Sequence, residues 1–235
     1  MREGPPGFWQ QRLGNLEVLY EIWEWAKEKL TTEEKNYKLL LGTDNAGRTA
    51  WHLAAYLGNL DVLHKIWKWA NGKLTTEEVK SKLLLGTDNE GRTAWHWEAA
   101  NGNLEELNQT RHCAEKKLTR VEMNNNFLLG TDNEGITAWH WAAYLGNLVV
   151  LHNIFEWVKK KLTRKEVKSI LLLGTDKEGR TAWHWAAANG ILEISHKTWD
   201  CGEEKQTTDE VISKLLLGTD SGEEPPGTGQ QGMAI

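Results

Sequence analysis

This chain of 235 residues has only two cysteines, four prolines and no basic excess. Two cysteines cannot build the disulfide framework of a small secreted scaffold. A net charge of −5 leaves no basic footprint for nucleic acid. No apolar run approaches the roughly 18 residues that a membrane-spanning helix needs. The first residues lack the apolar centre of a signal peptide, so a cytoplasmic location is the expectation. The prolines are confined to Pro5-Pro6 and Pro225-Pro226 and discourage helix at those two places. Catalytic residues should be singular, and here nearly every polar candidate is one copy of several. No Ser-His-Asp arrangement, phosphate-binding glycine loop or paired carboxylate stands apart, so no enzyme and no cofactor is expected.

What the chain does have is repetition and tryptophan, fourteen of the latter. The stretch Gly86-Thr87-Asp88-Asn89-Glu90-Gly91-Arg92-Thr93-Ala94-Trp95-His96-Trp97 has near-copies starting at Gly42, Gly130 and Gly174, each 44 residues from the next. A fixed period in this range marks a repeat array. Asp-Asn-x-Gly is turn chemistry. Thr49, Thr93, Thr137 and Thr181 stand where a helix N-cap is wanted. A short helix is expected over about Ala50 to Leu57, ended by Gly58-Asn59. A longer one is expected from about Leu60 to Lys73. It carries two apolar stripes, Leu60/Leu63/Trp67/Ala70 and Val62/Ile66/Trp69, which implies contact on two sides. A T-x-x-E capping box follows at Thr75/Glu78 and recurs at Thr31/Glu34, Thr119/Glu122, Thr163/Glu166 and Thr207/Glu210. It announces a third helix, about Thr76 to Leu84, expected to lie against Val62/Ile66/Trp69.

The pattern D-N-x-G-x-T-A-W-H-x-A-A-x-x-G-N-L resembles the ankyrin repeat, with Ala-Trp for the family's Pro-Leu and about eleven residues more than its usual 33. The resemblance implies an all-α fold, an ankyrin-like repeat solenoid with an additional short helix per repeat. HEAT or armadillo repeats are the alternative that the length allows. The array spans 14–220: a partial unit 14–41, then units 42–85, 86–129, 130–173 and 174–217. An irregular N-terminal segment, 1–13, precedes it and an irregular tail, 221–235, follows.

The resemblance implies a protein–protein interaction scaffold whose partner is another protein, held on the concave face by turn tips and first helices. Carried over by position, that face comprises Asn45, Ala46, Arg48, Tyr56 and Leu57 in the first unit. It continues as Asn89, Glu90, Arg92, Ala100 and Asn101, then as Asn133, Glu134, Ile136, Tyr144 and Leu145. The fourth set is Lys177, Glu178, Arg180, Ala188 and Asn189. It also implies that His52, His96, His140 and His184 tie neighbouring units together. A metal reading finds no Cys or carboxylate at ligand spacing around them. Trp51, Trp95, Trp139 and Trp183 are expected in the core, each indole N–H finding a partner. Two other functions stay open: a Trp-lined ligand or carbohydrate module, and a fragment of a longer or decaying array.

The units are not equivalent. In 86–129 the stripe reads Glu106, Thr110 and Cys113, Arg111 stands where Trp67 would be, and the third helix is rich in asparagine. This unit is expected to be the weakest, its third helix loose. Cys113 and Cys201 occupy one position two units apart, too far for a disulfide, and both are read as free thiols. Units one and three share Tyr-Leu before the glycine, and units two and four share Ala-Asn, as an 88-residue duplication would leave them.

Both ends break the register. Pro225 to Gln231 reads P-P-G-T-G-Q-Q where T-A-W-H-W-A-A is due, and Pro5 to Gln11 reads P-P-G-F-W-Q-Q. Codons for T-A-W-H-W-A-A, read one base late, encode P-P-G-T-G-Q-Q. The hypothesis is that both ends are frame-shifted copies of the repeat. They would be ragged, uncapped and open to end-to-end self-association, since repeat arrays need polar terminal units. The coding DNA tests it: a one-base shift should restore the motif at both ends, and failure at either end refutes the idea.

Overall fold

The computed structural model describes residues 16–190. They are all-α, and among them no strand forms. The segments 1–13 and 221–235, Cys201, His196 and the Thr207/Glu210 box lie outside the described residues.

The elements follow the sequence period. Helix α1 is Leu16–Lys29, followed by the single turn α2, Thr32–Glu34, and a π-helical segment π1, Lys35–Leu40. The first full unit contains α3 (Ala50–Leu57), α4 (Leu60–Lys73), α5 (Thr76–Glu78) and π2 (Val79–Leu84). The second contains α6 (Ala94–Asn101), α7 (Leu104–Lys117) and π3 (Glu122–Leu128). The third contains α8 (Ala138–Tyr144), α9 (Leu148–Lys161), α10 (Arg164–Val167) and π4 (Lys168–Leu172), and α11 (Ala182–Ala188) opens the fourth.

First helices pack on first helices: α3 on α6, α6 on α8, α8 on α11. The small side chains Ala54, Ala55, Ala99, Ala142 and Ala143 are buried at these contacts. Long helices form a second row, α1 on α4, α4 on α7, α7 on α9. Gly58 ends α3 at φ 71°, where any side chain would be strained.

The third element differs from expectation in two ways. Its capping boxes close as anticipated; Thr75 N donates to Glu78 Oε2 at 2.8 Å and Glu78 N to Thr75 Oγ1 at 3.2 Å. Beyond this first turn, however, the helix widens to the π form, ending in an i→i+5 bond such as Leu85 N to Lys80 O at 2.9 Å. A Cβ on Gly86 would run into the Lys82 carbonyl, which is why the motif begins on glycine. The second difference is where the segment packs. π1 and π2 rest on the first and long helices of the following unit. The Val62/Ile66/Trp69 stripe is therefore covered from the preceding unit: α4 packs on π1, and the Trp69 ring stacks on Trp23 with centroids 4.2 Å apart. Spacing alone shows that a stripe is buried; it does not show which copy buries it.

Unit 86–129 folds despite its substitutions. Met123, Phe127 and Leu128 of π3 are buried. So are Glu106, Thr110 and Cys113, together with Glu98, which replaces an alanine. Thr110 Oγ1 donates to Glu98 Oε1 at 2.5 Å. Glu98 Oε2 and both Glu106 oxygens have no partner. Desolvation pushes Glu106 up to about 8 and Glu98 upward as well, with neighbouring Glu105 and Glu106 respectively adding to the shift. Such groups favour the fold below the unfolded value of 4.5, and that contribution is lost as pH rises through about 8. Restoring the residues of the other units (Glu98→Ala with Glu106→Val) should therefore stabilise the chain. The expected gain at pH 8 is at least about 2 kcal/mol, since buried unpartnered groups cost that much. Urea unfolding from pH 5 to 9 checks it, and the fall in stability across that range should flatten. Amide exchange should also be faster in π3 than in π2 or π4.

Candidate functional site

The turn tips and first helices that the repeat pattern singles out lie side by side. Each tip is built by its aspartate: Asp88 Oδ1 accepts from Glu90 N at 3.0 Å and Arg92 N at 2.9 Å. Asp44, Asp132 and Asp176 do the same in their units. Successive tips are then joined main chain to main chain. Asn89 N donates to Ala46 O at 2.9 Å, Asn133 N to Glu90 O at 2.8 Å and Lys177 N to Glu134 O at 2.9 Å. Side chains repeat the link: Asn89 Nδ2 reaches Asn45 O at 2.9 Å and Asn133 Nδ2 reaches Asn89 O at 3.0 Å. At the far end of the first helices, Asn101 Nδ2 donates to Tyr56 O at 2.7 Å, and Asn189 makes the matching bond to Tyr144 O.

These contacts leave the candidate residues unequally exposed. Asn45, Asn89, Glu90, Asn133, Glu134, Lys177 and Glu178 are exposed at the tips, and Tyr56, Leu145, Ala188 and Asn189 at the helix ends. Ala46, Arg48, Leu57, Arg92, Ala100, Asn101, Tyr144 and Arg180 are half-buried. Ile136 is buried.

A second set of tryptophans, two residues after the core set, belongs to this face and was not singled out from sequence. Trp97, Trp141 and Trp185 follow the motif histidine and are half-buried. Trp97 Nε1 donates to Asp88 Oδ2 at 3.2 Å, and the Arg92 guanidinium lies over its ring at 4.2 Å. Asp176, Arg180 and Trp185 repeat the arrangement at 2.9 and 4.6 Å. Tyr56 meets Trp97 edge-on at 4.9 Å, and Tyr144 meets Trp185 at 5.2 Å. In the third unit Ile136 takes the arginine's place, and Trp141 Nε1 is left without a partner. The available signal was the arginine five residues before each of two tryptophans.

Three of the expected core set, Trp51, Trp95 and Trp139, are buried, whereas Trp183 is half-buried. The expected indole partners are absent at Trp51 and Trp95. Trp95 packs against Phe127 at 4.7 Å and Trp157 at 5.7 Å, an aromatic surrounding.

The histidines stitch the face from behind. His52 Nδ1 accepts from Thr49 N at 3.2 Å, and its Nε2 pairs with Gly86 O of the next unit at 2.9 Å. His96 with Gly130 and His140 with Gly174 repeat the bond at 3.1 and 3.2 Å. An Nδ1 that accepts and an Nε2 that donates describe a neutral imidazole. Desolvation lowers all three, His96 to about 4. Among the described residues no group of His, Cys, Asp and Glu could hold a metal ion, and no helix is long and apolar enough to cross a membrane. Cys113 is a free buried thiol pushed up to about 12 by desolvation, hence unreactive as a nucleophile.

No protein-family model matches the chain, and a search of curated proteins finds no match.

A histidine held neutral in the fold contributes stability that is complete above 6.5 and is lost as pH falls through the folded value. His96 should thus stay neutral, protonated on Nε2, down to about pH 4. Nitrogen-15 NMR titration of the ring reads this directly. His96→Ala should cost about 1–3 kcal/mol, since the buried Thr93 and Gly130 groups lose their partner.

Proposed function

We propose that the chain is an ankyrin-like repeat solenoid acting as a protein–protein interaction scaffold, with its partner held across turn tips and first helices on the concave side. The reading is supported chiefly by the row of tips, joined by main-chain bonds from Ala46 to Asn89, Glu90 to Asn133 and Glu134 to Lys177. A row tied at its backbone loses little entropy on binding, so side chains displayed along it are pre-organised. The residues beside it, Tyr56, Arg92, Trp97, Tyr144, Arg180 and Trp185, are the types that dominate interface energetics. Their arrangement favours a protein over a sugar. Arg92 and Arg180 already cover ring faces of Trp97 and Trp185, and a sugar stacks on such faces.

Tyr56→Ala combined with Leu145→Ala removes two exposed side chains of this face with little effect on the core. Affinity capture with quantitative mass spectrometry should recover at least one protein with the unaltered chain, and about tenfold less of it with the variant, the effect of roughly 1.4 kcal/mol. Equal recovery by both, or none by either, would set the proposal aside.

A further inference from the structure

The turn tips share one backbone but not one set of side chains. In the second tip, Arg92 Nε donates to Asp88 Oδ2 at 3.0 Å and a terminal nitrogen pairs with the Glu90 carboxylate. The same guanidinium covers the Trp97 ring. In the fourth tip, Arg180 Nε donates to Asp176 Oδ2 at 2.8 Å, Nη1 pairs with Glu178 at 2.6 Å, and the guanidinium covers Trp185. Two carboxylates and one indole thus hold one guanidinium. The third tip keeps Asp132, Glu134 and Trp141 but has Ile136 at the arginine position. Its turn is unchanged: Glu134 N and Ile136 N both donate to Asp132 Oδ1 at 2.9 Å, and Gly135 has φ 79° against 80° at Gly91 and 77° at Gly179. Among the described residues neither Asp132 nor Glu134 forms an ion pair, and Trp141 Nε1 is buried without a partner. Ile136 is only 6% exposed, so no apolar surface replaces the lost cation.

We propose that the third tip binds an arginine side chain of the partner protein, its guanidinium held by Asp132 and Glu134 beside the Trp141 ring. The proposal rests on the scaffold reading and names the chemistry that the partner brings to it. The tips on either side show what these residue types hold. There the guanidinium uses its Nε, a terminal nitrogen and its planar face at once. A lysine ammonium is a single point charge and cannot meet all three. Those neighbouring tips are neutralised by their own arginines, so the uncompensated charge is local to the third. Lys177, the exposed cation on the adjacent tip, forms no ion pair with either carboxylate among the described residues. Asp132 is buried, so a cation beside it is screened less than one in a surface pair.

The probe is N-acetyl-arginine methylamide, titrated into the 235-residue chain and followed by the indole nitrogen-15 resonances. Trp141 should move saturably in the millimolar range while Trp97 and Trp185 stay in place. N-acetyl-lysine methylamide, or Glu134→Gln with the arginine probe, should bind about fivefold more weakly, the scale of one cation–π contact or surface ion pair. Ile136→Arg should abolish binding, because it completes the tip from within. Circular dichroism checks helicity, and if Ile136→Arg unfolds, Glu134→Gln decides alone. A Trp141 resonance that does not saturate, equal movement of Trp97 and Trp185, or variants that bind like the original overturn the proposal. Affinity capture separates this site from the scaffold reading. Ile136→Arg should lower recovery of the partner about tenfold, and undiminished recovery removes the arginine site while leaving the scaffold. Recovery of no protein by the unaltered chain removes the scaffold reading, and the titration still judges the site.

Discussion

One imidazole per unit secures both a helix and the next repeat. His52, His96 and His140 close the N-terminus of their own helix through the capping threonine. With the other ring nitrogen they bond a main-chain carbonyl at the start of the following unit. That carbonyl belongs to the glycine following the π-helical turn, where a side chain would collide with the helix behind it. Glycine, histidine and threonine are therefore one device, and it works only while the ring is neutral. Burial supplies that condition by lowering the proton affinity of all three rings. Tip-to-tip main-chain bonds then carry the same register to the opposite edge of the unit.

The second unit shows how much variation this frame absorbs. Its stripe lost valine, isoleucine and tryptophan together and took glutamate, threonine and cysteine, yet α7 and π3 form. Glu98 replaces an alanine beside them, and Thr110 donates to it, so two of the substitutions answer each other. Glu106 has no such answer, and its carboxyl is held uncharged by desolvation. The neighbouring unit adapts as well: Arg111, in place of a tryptophan, lies over Trp157 and bonds Asn153 at 3.3 Å. A cation over an aromatic face substitutes there for the indole stack of Trp23 on Trp69.

The bounds of the short and long helices were legible because their signals are local. Thr49 and Gly58 bracket α3, and the apolar spacing of α4 ends at Lys73. Tip residues were legible for the same reason, since Asp, Asn and Gly act on backbone within four positions of themselves. Trp97 and Trp185 were not singled out, because the motif shared by all four units marks only the tryptophan before each histidine. Only the fold shows each indole turned toward an aspartate nine residues earlier and lying beneath an arginine.

By itself the sequence determined the period, the helix ends, the capping boxes and the all-α class, all of which are set by interactions within a few residues. Tertiary structure decided which copy covers which stripe, the π form of the third segment, the absence of an acceptor beside Trp51 and Trp95, and the burial of Glu98 and Glu106. Apart from the π form, a local i→i+5 pattern that no sequence signal announced, each of these depends on contacts between residues far apart in the chain. A repeat makes such contacts ambiguous from sequence, because every stripe has equivalent partners in several copies and only packing selects among them.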